Sequence, residues 1–402
     1  MKNILMETLC ESSALARDLF KSAGWPLVLR AVSRRLRDAF DRTCERTFCT
    51  EQWYNSDAEA LAFLEKAPRW IGIKFRGSIP TSNLSRVYEL DLSDTDVADV
   101  SALGGVHTLR MYDCAGISDV SALGSVHILI LSRCNGITDV SALGRVHTLE
   151  LSYCDGVTDV SSLGGVHTLD LFGCTSITDV SALGGVRKLD LGRCTSIINV
   201  SALGSVRTLD LFECNGITDV STLGGVHTLY LTKCFGITDV SALGGVHTLG
   251  LSGCIRVTDV SMLGGVHTLI LINCSAITDV SALGGVHTLR LYGCTGITDV
   301  SALGNVHTLD LSGCFDVTDV SALVGVHTLC LSRCARVTDV SALGGAHEIY
   351  LTWCTGITDV SALGGVHTLY LYGCTGVTDF SALENVRHLT LPDGSTRKAC
   401  NC

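Results

Sequence analysis

Between Leu109 and Leu389 apolar residues return to the same places in every stretch of twenty. In the unit Val286–Asn305, which reads VHTLRLYGCTGITDVSALGN, they stand at Val286, Leu289, Leu291, Cys294, Ile297, Val300 and Leu303. The alternation Leu289-Arg290-Leu291 predicts a short strand with both leucines inward and Arg290 outward. The spacing of Ile297, Val300 and Leu303 predicts a tight helical or 3₁₀ turn on the opposite side. Gly304 and its equivalents predict a sharp return made possible by unusual backbone angles. A fixed period of this length is the signature of a solenoid, in which each unit buries its apolar edge only against its neighbours. Such an architecture leaves little room for an enzyme, and none is expected here.

Three other zones flank the array. Residues 1–67 have helical character, with Leu15 and Leu19 four apart and Val28, Val32, Leu36 and Phe40 continuing at steps of four. Ser56 and Glu59 form a capping box ahead of Ala60–Leu64, and Pro68 ends that helix. Residues 68–108 hold two irregular units around Ile71-Gly72-Ile73 and Leu90-Asp91-Leu92, suited to cap the open end of a solenoid. The regular repeats fill 109–392, Pro392 stops the last strand, and 393–402 is a tail.

Bulk composition narrows the class. The chain is 47% hydrophobic and 17% charged, with a mean hydropathy of +0.38, which fits a continuous packed interior. A net charge of −11 and a pI near 5.6 disfavour nucleic acid and acidic membrane surfaces. No apolar run is long enough to span a membrane, and Met1–Glu7 lacks the core of a signal peptide. Of the twenty cysteines, fourteen occupy one column from Cys114 to Cys374, which argues for packing of reduced thiols and a cytoplasmic setting.

Other columns carry candidate chemistry. Asp119, Asp139, Asp159, Asp179, Asp219 and their successors precede Val-Ser, where a carboxylate can accept free N–H groups of the turn it begins; Asn199 does so once without charge. That exchange favours capping over a calcium site. Twelve histidines from His107 to His367 stand just before the strands, with Arg187, Arg207 and Arg387 replacing them in three units. Arginine cannot stand in for a metal-ligating imidazole, so a stacked rim is expected and no metal. Thr108, Thr148, Thr168 and their equivalents are expected to form an exposed threonine column.

Binding should fall where the scaffold leaves freedom, at the positions of Arg290, Tyr292 and Gly293. Glu150, Asp170, Asp190 and Asp210, joined by Glu213, form an acidic run that suits a basic partner or else a solvated surface paired with Arg187, Lys188, Arg193 and Arg207. Tyr350, Trp353, Tyr370 and Tyr372 fall on adjacent units and have the composition of an interface anchor, or else shield the last coils.

The unit L-x-L-x-x-C-x-x-I-T-D-V-S-x-L resembles the leucine-rich repeat in its cysteine-containing variety, and its turn half is similar to the D-[IV]-S-x-L of internalin-type repeats. Similar arrays are known in proteins of large DNA viruses and some protists. The resemblance implies an α/β leucine-rich repeat solenoid with a parallel concave sheet, short convex turns and a small helical amino-terminal module. It also implies protein–protein recognition through the concave face, without a cofactor. The stretch Pro26–Phe40 (PLVLRAVSRRLRDAF) resembles the second half of an F-box, though without the usual Leu-Pro opening. That resemblance implies docking on the Skp linker of a cullin–RING ubiquitin ligase through Leu29, Val32 and Leu36, with the repeats holding a substrate. The alternatives are a plain helical cap and a structural or decoy array with no ubiquitin role.

Overall fold

The computed structural model describes residues 88–398, together with the backbone of two earlier strands, β1 (Cys49–Thr50) and β2 (Gly72–Lys74). Apart from β1, the helical module expected over 1–67, including Leu29, Val32 and Leu36, lies outside the described residues. From β3 (Glu89–Asp91) and β4 (Thr108–Arg110) onward, each coil contributes one strand of three residues, ending with β18 (His388–Thr390). Successive strands pair in parallel and in chain order, and equivalent residues face each other, as Leu229 does Leu249. A last strand, β19 (Thr396–Lys398), turns back within the tail and pairs antiparallel with β18. Among the described residues there is no α-helix; from Ser121–Leu123 onward the far side of each coil is a 3₁₀ turn such as Ser301–Asn305.

The inward positions read from the sequence form continuous columns. Val286, Leu289, Leu291, Cys294, Ile297, Val300 and Leu303 are all buried, and so are their equivalents along the array except Phe380 and Leu391 of the last coil, which are partly buried. Each cysteine thiol donates to a main-chain carbonyl of the preceding coil, not the following one, that of Met111 for Cys134 and of a leucine for the others: Cys154 Sγ lies 3.1 Å from Leu131 O, and Cys174 Sγ lies 3.0 Å from Leu151 O. That carbonyl also receives the cysteine N–H of its own coil, at 3.1 Å for Cys134 and Leu131. The thiol therefore ties two coils together where the chain leaves the strand. Burial pushes the Cys154 thiol up to about 11 and the Cys174 thiol up to about 12, so these interior thiols stay protonated, whereas at the start of the column the hydrogen bond with Cys134 lowers Cys114.

The aspartate column caps its turns as expected. Asp119 accepts the Ser121 N–H at 2.9 Å and Asp139 the Ser141 N–H at 2.8 Å, and Asn199 does the same for Ser201 at 3.0 Å. The threonine column is half-buried rather than exposed, and Thr108 and Thr368 are buried. Most of these hydroxyls sit 3.3 Å from the Nδ1 of the preceding histidine, as in the pair His287 and Thr288.

Glycine serves a different purpose from the one expected. Gly124 has an ordinary φ of −63°, so no unusual backbone angle is involved. A Cβ there would instead meet the Ala142 carbonyl oxygen of the next coil at 2.3 Å, and one on Gly264 would meet Ala282 O at the same distance. Two 3₁₀ turns can stack this closely only if nothing projects between them. Two exceptions support the point. At Val324 the preceding Leu323 is bent to φ −85° and ψ 19°, out of the turn's regular geometry. Glu384 caps the end of the last 3₁₀ turn, Ser381–Leu383, with none stacked beyond it among the described residues. Gly264→Ala is therefore expected to cost about 1–3 kcal/mol in chemical denaturation, the usual range for overpacking. Glu384→Ala, in the same column, should stay within about 0.5 kcal/mol of the parent.

Candidate protein-binding face

The residue between the two leucines of each strand points away from the core, so the strand face is a row of independent side chains one strand spacing apart. Along it the register brings Glu150, Asp170, Asp190 and Asp210 side by side on consecutive strands. All four are half-buried, and no ion pair reaches any of them among the described residues. Their hydrogen bonds are local: Asp170, Asp190 and Asp210 accept the N–H two residues ahead at 2.8–2.9 Å, and Ser152 donates to Asp170 at 2.9 Å. Burial, then the neighbouring Asp210 and Asp170, pushes Asp190 up to about 6 against the pull of the Gly192 N–H. Burial and then Asp170 raise Glu150, which Arg110 and Lys188 partly offset, and burial also raises Asp210.

Glu213 does not belong with these four. It is held at the rim by Arg193 at 2.8 Å and Lys233 at 2.9 Å, and both cations lower its pKa. Arg193 is thus committed to Glu213. Arg187 and Arg207 stand in the histidine column, and among the expected counter-charges only Lys188 acts on the run, lowering Glu150 and Asp190.

Tyr350, Trp353, Tyr370 and Tyr372 do come together. Tyr350 and Tyr370 face each other across adjacent strands with ring centroids 4.6 Å apart and planes 8° from parallel. Trp353 meets Tyr372 edge to face at 5.4 Å, and the two remain 46% and 43% exposed. The Tyr350 hydroxyl donates to Glu348 at 3.2 Å. The aromatic group lies seven coils beyond Asp210, roughly 34 Å at strand spacing, so the acidic and aromatic groups are two separate patches.

Three features of this face escape the sequence reading. The position after the turn, from Asp113 to Gly373, has positive φ in all fourteen coils, whether it holds Gly, Arg, Lys, Tyr or Trp. The five glycines in that column are the one visible signal. Trp353 sits there at φ 63°, and its indole lies where a Cβ on Gly373 would come within 2.6 Å. Second, cations and rings alternate along the rim beside the acidic run: Arg133 lies over Tyr112 and Tyr153, Arg193 over Phe172 and Phe212, and Lys233 over Phe212, at 5.4–5.8 Å. Third, Cys330 lies outside the buried column on the strand face between Asp310 and Tyr350, half-exposed, with the Ser312 hydroxyl at 2.9 Å. Among the described residues no group of three or more His, Cys, Asp or Glu side chains is arranged to hold a metal ion.

Because Asp190 has a raised pKa when folded, its protonated form is the one the fold favours. That contribution is complete below about pH 4 and disappears as the pH rises through about 6. Asp190→Asn, which keeps the acceptor for Gly192 and removes the charge, should be more stable than the parent at pH 7.5 by about 1 kcal/mol, after discounting for partial exposure. Denaturation measured across pH should show the difference closing below about pH 4.

No family model matches the chain, and no curated protein does. Among solved structures, a leucine-rich repeat protein of Leptospira interrogans superposes with a TM-score of 0.51 at 16% identity, covering 80% of this chain and 94% of that one. An internalin, InlF, of Listeria monocytogenes covers 81% of this chain and 90% of its own at 20% identity, with a TM-score of 0.44. The functional domain of InlJ from the same organism, described as including a cysteine ladder, gives 0.42 at 20% identity over 70% of this chain and 72% of its own. The coil geometry and the Leptospira superposition agree: the chain has the leucine-rich repeat fold, with a column of buried cysteines running through it.

Proposed function

We propose that this chain is a non-enzymatic recognition protein of the cytoplasm that binds another protein on its concave strand face, anchored at Tyr350, Trp353, Tyr370 and Tyr372. One observation carries the reading. Trp353 is large, nearly half exposed and held at φ 63° in a column where glycine suits the backbone better. A left-handed conformation costs a non-glycine residue about 1–2 kcal/mol, so a tryptophan there works against stability. Its indole is steadied by Tyr372 and lies over Gly373, as a preformed anchor requires. The acidic run Glu150, Asp170, Asp190 and Asp210 is a second contact surface for a basic segment, and its contribution should weaken with salt.

A finer reading rests on Pro26–Phe40. With Leu29, Val32 and Leu36 on an F-box-like helix, the chain would dock on the Skp linker and present the strand-face cargo to a cullin–RING ubiquitin ligase.

Two tests follow. With a partner in hand, alanine at the four aromatics should weaken binding by at least about 2 kcal/mol without unfolding the solenoid. Thiol labelling of Cys330, one strand from Tyr350, should then be blocked by the partner. Silent aromatic changes would move the site elsewhere. Separately, affinity capture of the intact chain from its host should recover the Skp linker, and Val32→Asp should abolish recovery, since an unpaired carboxylate in an apolar interface costs several kcal/mol. Capture without the linker would leave the recognition face and remove the ligase.

A further inference from the structure

Two long ladders of ionisable groups remain outside that site. The first is the histidine rim. From His227 to His367 eight imidazoles stack with centroids 4.4–4.7 Å apart. A shorter stack of Tyr88, His107, His127, His147 and His167 precedes it. Arg187 and Arg207 bridge the two runs in sequence, and Arg387 with His388 follows. The rim is mostly exposed and flanked by the glycines of the 3₁₀ turns and the threonines of the strands. The charged groups near it are few: Arg145, Lys188, and Glu348, which lies 3.9 Å from His347. The second is the aspartate ladder from Asp119 to Asp379, exposed in every coil and uncharged only at Asn199. Its hydrogen bonds to the serine two residues ahead lower these pKa values and keep the carboxylates ionised in mild acid.

The 3₁₀ turn separates the two ladders within each coil, so they face different directions. Both recur once per coil, every twenty residues, so they present matching numbers of groups along the solenoid. We propose that below about pH 6 this chain associates with copies of itself, the histidine–arginine rim of one solenoid lying along the aspartate ladder of the next. A second copy is the occupant whose charges keep step with the rim over its whole length. Each imidazole that takes up a proton moves the formal charge upward from −11 and weakens repulsion between copies, while burial and then neighbouring imidazoles lower His107 and His247, so the stack charges in part rather than completely. The contact joins two different surfaces and does not close on itself, which predicts filaments or sheets rather than a dimer.

Sedimentation velocity of the full chain is the test. Monomers are expected at pH 7.5, and larger, concentration-dependent species at pH 5.5 that about 0.5 M salt dissolves. The variant Asp259→Asn, Asp279→Asn, Asp299→Asn and Asp319→Asn retains its caps, as Asn199 does towards Ser201. It should associate at least tenfold more weakly at pH 5.5. A charge-matched control changing Asp96, Asp113, Asp155 and Asp316 to Asn should associate like the parent. A monomeric parent at pH 5.5, salt-insensitive association, or equal behaviour of the two variants would each overturn the proposal, the last by marking plain isoelectric precipitation.

Discussion

Parallel strands joined by main-chain hydrogen bonds must lie about 4.8 Å apart, and a coil of only twenty residues cannot widen on its far side to relax that spacing. The 3₁₀ turns are therefore driven to a comparable approach. Every recurring residue type answers to this one constraint. Glycine stands where the carbonyl of the next turn would collide with a Cβ, at 2.3 Å in coil after coil. Cysteine stands where a small buried donor is needed for the leucine carbonyl of the previous coil, at 2.8–3.2 Å. Aspartate closes the N–H groups opened as the 3₁₀ turn begins. The imidazoles, held at the same pitch, have no choice but to stack.

The constraint also marks out where it does not apply. Side chains on the outer face of the strands extend into open space, so size and charge vary there: Glu150, Asp170, Tyr230, Arg290 and Tyr350 occupy equivalent places. Freedom is still partial. A carboxylate at this position becomes half-buried between its neighbours, and burial and then the charges beside it raise its pKa, as at Asp190. An aromatic ring leans over the following coil, and a glycine there makes the room: Tyr153 over Gly173, Tyr230 over Gly250 and Trp353 over Gly373. The variable face is thus read two coils at a time, not one.

How much of this was legible in the sequence follows from the same distinction. The strand, the 3₁₀ turn, the capping aspartates and the stacked rim repeat with the period, so Leu289, Asp299 and His287 disclose their roles by recurrence alone. Gly304 was visible but its reason was not, because a collision with the next coil is a property of two units stacked. Glu213 looked like a member of the acidic run because it lies three residues from Asp210; the turn between them sends it to the rim, where Arg193 and Lys233 take it up. The left-handed backbone at Trp353 was hidden because its column tolerates Gly, Arg, Lys, Tyr and Trp alike. That tolerance signals a conformation imposed by the coil rather than chosen by the residue.

This last point bears on whether the array is a passive expansion. Near-identity of the inward and turn positions is no guide, because close stacking demands it of a binder and of a spacer equally. The outer strand face discriminates better, because nothing in the stacking requires a large residue there. A passive array would gain stability by placing glycine throughout the left-handed column and by avoiding four carboxylates in register. This chain instead places an exposed tryptophan in that column beside three tyrosines, and four half-buried acids on consecutive strands with no salt bridge to them among the described residues. Features that oppose the stability of a fold, and that the fold does not need, are where a partner's contribution is expected.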